Sequence, residues 1–152
     1  MKPRVLVVDD EERKATVVAA ALERAGYECD TARDGESALV ALDARGADAL
    51  VTDWKMPGMD GLELLRRSRD RHPGLPVILL TAHGTVSSAV AAMREGAFDY
   101  VIKPFDNEEL KGVAAKALEL SRLSRENEYL RSELKSRYLD RKSTRLNSSH
   151  RL

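Results

Sequence analysis

Short apolar runs alternate with longer amphipathic stretches along most of this chain. Three runs, at residues 5–8, 49–52 and 77–80, are rich in branched side chains and too short for helices. They predict strands that are buried on both faces. Weaker strand patterns at residues 27–32 and 100–103 bring the predicted number of strands to five.

Helical patterns separate these strands. They cover residues 13–25, 35–44, 61–71 and 86–94, and a glycine or proline follows closely after each of the first three. Strict alternation of strands and helices predicts an α/β fold, with a parallel sheet covered on both faces and joined by right-handed crossovers. We therefore expect a doubly wound five-stranded domain.

Polar residues stand where the predicted strands end. Asp9 and Asp10 follow the first strand, Asp53 the third and Thr81 the fourth, while Lys103 ends the fifth. Open parallel sheets bind ligands at the carboxyl ends of their strands. The sequence thus predicts three carboxylates, a hydroxyl and an ammonium at one edge of the sheet.

The predicted carboxylates indicate a metal site. Carboxylates that share an apolar edge repel one another, and each would have a raised pKa unless a cation lay among them. Mg²⁺ (or Mn²⁺) takes oxygen ligands and usually retains several waters. We expect Asp10 and Asp53 to be direct ligands and Asp9 to act through water. The backbone carbonyl of Lys55 is the expected third protein ligand.

A carboxylate beside such a metal can attack a phosphoryl group and become an aspartyl phosphate. Asp53 is the predicted nucleophile, because Lys103 and the metal can neutralise the phosphoryl oxygens and Thr81 can donate to one of them. A cis peptide between Lys103 and Pro104 is also predicted, since it would direct the ammonium into the site.

Each of these residues also has an ordinary structural explanation. Asp9 and Asp10 could cap the first helix, and Asp53 could belong to a turn. Thr81 could be a plain strand residue and Lys103 a solvated strand end. Those explanations do not account for all five residues falling at strand ends on one edge, which favours a functional site.

Four segments resemble the receiver domain of two-component response regulators. They are VVDDE at residues 7–11, VTDWKMPGMDG at 51–61, LTA at 80–82 and GAFDYVIKPF at 96–105. Four motifs in the same order and spacing are far more specific than any one of them. The resemblance covers roughly residues 1–120.

The resemblance implies the strand order 2-1-3-4-5 of a flavodoxin-like sheet, dependence on Mg²⁺, and transfer of a phosphoryl group from a sensor histidine kinase to Asp53. It also implies that Thr81 moves toward the phosphate and that Tyr100 rotates inward behind it. Lys55 and His83 occupy the two positions that influence phosphate lifetime in the family. A cation at Lys55 favours a longer-lived phosphate.

From about residue 107 onward the pattern becomes one long, highly charged helix. Its 3-4 spacing of apolar residues predicts a parallel, homodimeric coiled coil in which Asn127 fixes the register. The alternative is a solvated charged helix, because fewer than three clean heptads are present. The a positions are Val113, Leu120, Asn127 and Leu134, and the d positions include Leu123 and Leu130.

Residues 118–127, together with the motifs at 96–105, resemble the linker of bacterial sigma-54-dependent enhancer-binding activators of the nitrogen-regulation type. Neither a Walker loop nor a helix-turn-helix follows, so we expect a truncated transcriptional regulator that meets DNA only through domains absent from this chain. The predicted organisation is a receiver domain at 1–120, a helical dimerisation linker at 121–140, and a disordered or cloning-derived tail at 141–152.

Composition narrows the possible functions. Lysine plus arginine (25) balance aspartate plus glutamate (25), so no overall charge recruits nucleic acid or an anionic membrane. The single cysteine cannot form an internal disulfide, and neither a signal peptide nor a bilayer-spanning apolar stretch is apparent. We expect a cytosolic protein without a membrane partner.

Two other functions compete with a regulatory phosphoacceptor that is not an enzyme. A Mg²⁺-dependent phosphohydrolase with an aspartyl nucleophile could use the same kind of sheet, but such enzymes generally carry a second acid where this chain has Lys55. A scaffold in which the helical arm acts alone would leave the acidic edge idle. Turnover of phosphate esters and metal binding separate these possibilities.

Overall fold

The computed structural model describes residues 2–82 and 84–144, with side chains up to Arg137. Strands and helices alternate throughout, as the apolar pattern predicts. The strands are β1 Arg4–Val8, β2 Glu28–Ala32, β3 Ala49–Asp53, β4 Val77–Thr81 and β5 Asp99–Ile102. The helices are α1 Glu12–Arg24, α2 Gly35–Ala44, α3 Gly61–Arg71, α4 Val86–Arg94 and α5 Asn107–Thr144.

All strand pairs are parallel, and the order across the sheet is β2-β1-β3-β4-β5. This confirms the predicted doubly wound, flavodoxin-like fold. The chain reverses its direction of winding between β1 and β3, so the carboxyl ends of these two strands border the crevice where such folds bind ligands. In β1 and β3 these ends carry Asp9 and Asp53.

Alternate residues of β1 enter two different hydrophobic cores. Val5 and Val7 pack in a cluster that contains residues of α1 and α5, whereas Leu6 and Val8 pack in a cluster that contains residues of α2 and α3. Opposite faces for successive residues follow from the period of a strand. Burial of each such side chain stabilises the fold by about 1.5–3 kcal/mol, so the central strands are fixed in register.

Close backbone packing holds the end of β3. A Cβ atom on Gly61 would lie 2.5 Å from the carbonyl oxygen of Asp53, and the Gly61 amide donates to the Trp54 carbonyl at 2.7 Å. Asp60 then begins α3 by accepting a hydrogen bond from the Glu63 amide. The absence of a side chain at Gly61 thus allows α3 to start directly against the acidic edge.

Helix α4 packs only shallowly on the domain. Ala92 is the one buried residue among its nine. At the N-terminus Thr85 and Ser88 form a capping box, and at the C-terminus Arg69 donates to the Glu95 carbonyl across 2.7 Å. The positive charge of Arg69 at this end also interacts favourably with the negative pole of the helix dipole.

Residue contacts divide the chain into one compact unit that ends at Ser121 and a second that begins at Arg122. In the first unit Val113 packs against the core cluster of α1 and α5. The heptad pattern placed Val113 at an a position, but in the structure its side chain packs within the domain. Within residues 2–82 and 84–144, no helix has the length and apolarity to cross a bilayer.

Candidate functional site

Three carboxylates converge at the carboxyl ends of β1 and β3. Asp9, Asp10 and Asp53 each offer an oxygen, and these oxygens all lie within 4.8 Å of one another. Their environments differ, because Asp9 is only 4% exposed while Asp10 is open to solvent. The cluster therefore has one buried member, one exposed member and, in Asp53, an intermediate one.

Asp9 is fixed by the backbone on both sides. Its amide donates to the Ala32 carbonyl at 3.1 Å, and its Oδ1 accepts from the Glu11 amide at 2.9 Å. Burial raises the pKa of the Asp9 carboxyl above its ordinary value near 3.8; the Glu11 hydrogen bond opposes this, and the charge of Asp53 adds to it. A cation shared by the three carboxylates would favour the ionised form of Asp9 and so lower its pKa.

Helix capping does not account for the acidic residues after β1. The N-cap of α1 is Glu11, and its side chain makes no capping hydrogen bond. Asp9 uses its carboxylate on the Glu11 amide just before the helix, and Asp10 projects to solvent. The ordinary structural explanation of this cluster is thereby weakened.

Lys103 brings a cation to the cluster. Its Nζ donates to Oδ1 of Asp53 at 2.5 Å, with side chains 26% and 14% exposed respectively. The Lys103 amide donates to the Thr81 carbonyl at 2.7 Å, which ties the end of β5 to the end of β4. The Lys103–Pro104 peptide is cis, as predicted.

A cavity of about 260 Å³ opens over these groups. It is large enough for a phosphoryl group and several waters, since one water occupies about 30 Å³ of liquid. The lining residues are Asp9, Asp10, Glu11, Lys14, Asp53, Trp54, Lys55, Thr81, Ala82 and Lys103. The structure therefore brings together all six residues predicted for metal binding and phosphoryl transfer.

The remaining predicted residues lie elsewhere. Tyr100 is half-buried against the core cluster of α2 and α3, outside the lining of the cavity. His83 falls outside the described residues. Thr81, which shares the predicted switch role with Tyr100, belongs instead to the cavity wall and is 6% exposed.

Four lining residues were missed as site residues by sequence reasoning, and they are Glu11, Lys14, Trp54 and Ala82. Glu11, Trp54 and Ala82 entered only as parts of motifs, and Lys14 was not considered. No sequence signal marked Lys14, because an exposed lysine at the start of a helix is common. Trp54, the single tryptophan of the chain, also lines the cavity.

The donor set suits a hard divalent cation. Three carboxylates within a few ångströms, one of them buried, provide the oxygen ligands that Mg²⁺ takes. Lys103 leaves the second oxygen of Asp53 available, because its hydrogen bond is made to Oδ1. Chemically, the arrangement can hold a cation and present one carboxylate to an electrophile.

The leucines predicted for a coiled coil are exposed. Leu120 is 46% exposed in the first unit, and in the second unit Leu123, Leu130 and Leu134 are 49%, 53% and 63% exposed. Asn127 is exposed as well. Exposed apolar side chains repeated along a charged helix are available to a second chain.

Comparison with known proteins agrees with the geometry. Residues 5–115 match the family model of the response regulator receiver domain. The chain is 46% identical over 114 residues to the DNA-binding transcriptional regulator NtrC of Salmonella typhimurium, covering 75% of this chain and 24% of that protein.

Solved structures give the same result. The receiver domain of NtrX from Brucella abortus is 42% identical, with a TM-score of 0.72 over 76% of this chain and 98% of that one. A longer crystal structure of NtrX from Brucella abortus, also 42% identical, gives a TM-score of 0.78 over 86% of this chain and 30% of that one. This chain thus spans about a quarter of the length of the curated relatives it matches.

Proposed function

Since this chain belongs to the family of response regulator receiver domains, we propose that it accepts a phosphoryl group on Asp53 from a sensor histidine kinase. In this proposal, phosphorylation switches the dimer arrangement of a transcriptional regulator. The observation that carries the proposal is the contact between Lys103 and Asp53 inside a three-carboxylate cluster. An acceptor carboxylate and a phosphate-binding cation are the two groups that the reaction needs.

Each of the six predicted cavity residues has a role in the proposed transfer. The Asp53 carboxylate attacks phosphorus, the Lys103 ammonium neutralises an oxygen of the transferred group, and the Thr81 hydroxyl donates to another. Mg²⁺ (or Mn²⁺) would be held directly by Asp10, Asp53 and the Lys55 carbonyl, and through water by Asp9. When bound, the metal supplies positive charge to the phosphoryl oxygens.

The proposed switch runs from the cavity to the surface near β5. Thr81 is drawn toward the phosphate, and Tyr100 rotates into the space behind it. A ligand shifts a two-state equilibrium only through unequal interaction with the two states, so the phosphate must favour the packing in which Tyr100 is inward. Lys55 and His83 are proposed to set how long the phosphate persists.

The proposed partners are a sensor histidine kinase and a second copy of this chain, joined through Leu120, Leu123, Asn127, Leu130 and Leu134. The boundaries of a receiver domain at 1–120 and a dimerisation linker at 121–140 belong to the same proposal. Of the predicted tail at 141–152, residues 141–144 belong to α5, and residues 145–152 lie outside the described residues. Contact with DNA is proposed only through domains outside this chain. The cytosolic location remains a prediction from the sequence.

Mass spectrometry of the intact chain tests the acceptor directly. After incubation with Mg²⁺ and acetyl phosphate, we expect the gain of one phosphate, which is absent in Asp53→Asn. The matched control is Asp70→Asn, an exposed aspartate of α3, which should be labelled like the wild type. Labelling of Asp53→Asn, or an unlabelled wild type, would overturn the proposal.

The same material separates a phosphoacceptor from a phosphohydrolase. A receiver domain catalyses only its own phosphorylation and dephosphorylation, so p-nitrophenyl phosphate should not be turned over. Lys55 supports the regulatory function, because a second acid at that position is general in the competing enzymes. Multiple turnovers abolished by Asp53→Asn would favour the enzyme instead.

A further inference from the structure

Lys14, in the first turns of α1, lines the cavity that contains Asp53. Its Nζ lies 3.0 Å from Oε2 of Glu11, which also lines the cavity. Both side chains are more than half exposed, at 57% and 58%. This ion pair is therefore at the solvent-exposed edge of the cavity.

The charges around the cavity make the position of Lys14 significant. Four carboxylates line it, and the Lys103 ammonium is already engaged with Asp53. Phosphoryl donors are themselves anions, so an acidic opening repels them unless a mobile cation lies near the entrance. A long lysine side chain paired with an exposed partner can change partners at little cost.

Lys14 also lies within the field of the acidic cluster. The pKa of its ammonium is raised, chiefly by the hydrogen bond and attraction to Glu11, with smaller effects from Asp9 and Asp53. The group is therefore fully protonated at neutral pH. Its positive charge is available to whatever anion approaches the cavity.

We propose that Lys14 is a donor-binding residue. Its ammonium moves away from Glu11 and contacts the phosphoryl oxygens of the incoming donor, and Glu11 limits this contact by competing for the ammonium. The inference rests on the proposed function, in which Asp53 is the acceptor. It concerns the donor before transfer, whereas Lys103 and Thr81 act on the group being transferred.

Transfer of the phosphoryl group from acetyl phosphate to Asp53 needs no other reactant. An oxygen of Asp53 forms a bond to phosphorus, and the bond between phosphorus and the acetyl oxygen breaks. Acetate leaves with the electron pair of that bond. Lys14 forms no covalent bond and keeps its proton, so it affects donor capture more than the chemical step.

The alternative is that Lys14 and Glu11 only stabilise α1. Exposed pairs at this spacing stabilise a helix only slightly. Lys111 and Glu108 form an ion pair of the same spacing in α5, with Nζ 3.6 Å from Oε1, and are not among the residues that line this cavity. Lys111→Gln is therefore a matched control for loss of such a pair.

The experiment measures initial labelling rates of the full chain against donor concentration at fixed Mg²⁺. Acetyl phosphate is the dianionic donor and phosphoramidate the less charged one. In Lys14→Gln we expect kcat/KM for acetyl phosphate to fall about fivefold, mainly through KM, and to fall less for phosphoramidate. Lys14→Arg should restore most of the rate, and Glu11→Gln should raise it about twofold.

Ionic strength gives a second readout that a structural role would not change. Salt screens attraction between exposed charges, so the difference between wild type and Lys14→Gln should shrink as NaCl is raised. Labelling of Lys14→Gln equal to that of Lys111→Gln with both donors would overturn the inference and leave the proposed function intact. So would a salt-independent loss of rate equal for both donors. A wild type that is never labelled would overturn the proposed function itself.

Discussion

The Lys103 ammonium lies 2.5 Å from Oδ1 of Asp53, although 50 positions separate the two residues in the chain. The pair joins the end of β5 to the end of β3 across the intervening strand β4. In the proposed function, a phosphoryl group arriving on Asp53 would therefore share or displace this ammonium. Lys103 is accordingly the residue outside the acceptor that we expect to respond first.

Lys103→Ala tests that relationship. We expect the variant to bind Mg²⁺ and to be labelled at Asp53 more slowly, because Lys103 no longer neutralises the transferred group. The labelled variant should lack the conformational response, because the cation that responds to the phosphate is gone. Hydrogen exchange of β5 amides, with and without acetyl phosphate, measures the response. Lys111→Ala is the control, and a wild-type response in Lys103→Ala would contradict the role given to Lys103.

Asp10→Asn should abolish labelling by removing a metal ligand. Trp54 is the single tryptophan of the chain and lines the cavity, so its fluorescence should change as Mg²⁺ is added to the wild type. We expect the affinity for Mg²⁺ to fall at least tenfold in Asp10→Asn. Asp70→Asn should titrate normally, and normal labelling of Asp10→Asn would refute the assignment.

Gly61→Ala should destabilise the domain by about 2–4 kcal/mol, because the new Cβ would meet the Asp53 carbonyl oxygen at 2.5 Å and neither backbone can yield easily. Gly112→Ala in α5 is the matched control. A methyl group at Gly112 would meet no atom of the described residues within 4 Å, so this variant should be more stable by roughly 0.5–1 kcal/mol. Urea unfolding gives the change in the free energy of unfolding for each variant, and equal changes would refute the packing argument.

Cys29 should resist alkylation at neutral pH. Burial, with smaller effects from Glu23 and Asp30, raises the pKa of its thiol from 9.0 to about 11. Iodoacetamide should therefore react roughly 100-fold more slowly at pH 8 than with the unfolded chain, and the rate should rise about tenfold per pH unit up to pH 10. A rate that levels off near pH 9 would contradict this.

The same shift has a consequence for stability. Above pH 9 the unfolded chain releases the thiol proton while the folded chain retains it, so folding stability contributed by this group is lost as pH rises from 9 toward 11.

Leu130→Glu tests the coiled coil. Leu130 is 53% exposed at a predicted d position, so a charge there should shift a dimer toward monomer by removing an apolar layer. Ser132→Glu, at the outward f position, should leave the dimer unchanged. Sedimentation velocity at micromolar concentration, with and without beryllofluoride, measures both, and identical dimers in both variants would refute the heptad assignment.

Local pattern was sufficient for most of the fold. Apolar runs located β1, β3 and β4 within one residue, since strands buried on both faces leave an unambiguous signal. The rule that ligands bind at strand carboxyl ends then predicted, from the sequence alone, that Asp9, Asp53 and Thr81 lie at one edge of the sheet. The order of strands came from family resemblance, because alternation alone does not fix which strands are neighbours.

Tertiary packing decided what pattern could not. Val113 fits a heptad position and also packs against the core of α1 and α5, and the spacing of leucines cannot separate these two outcomes. Lys14 resembles any solvated lysine on a helix until α1 is placed beside the end of β3. Such roles depend on which elements are adjacent, which is a property of the assembled sheet.

The shallow packing of α4, with Ala92 as its one buried residue, has an evolutionary consequence. Val86, Val90 and Met93 are 82%, 44% and 48% exposed, so replacing them alters little of the buried surface that stabilises the domain. Mutations on this face are therefore nearly neutral for folding while they change what the helix can touch. In the proposed function, substitutions on this one helix would change which partner surface it fits while the cavity around Asp53 stays the same.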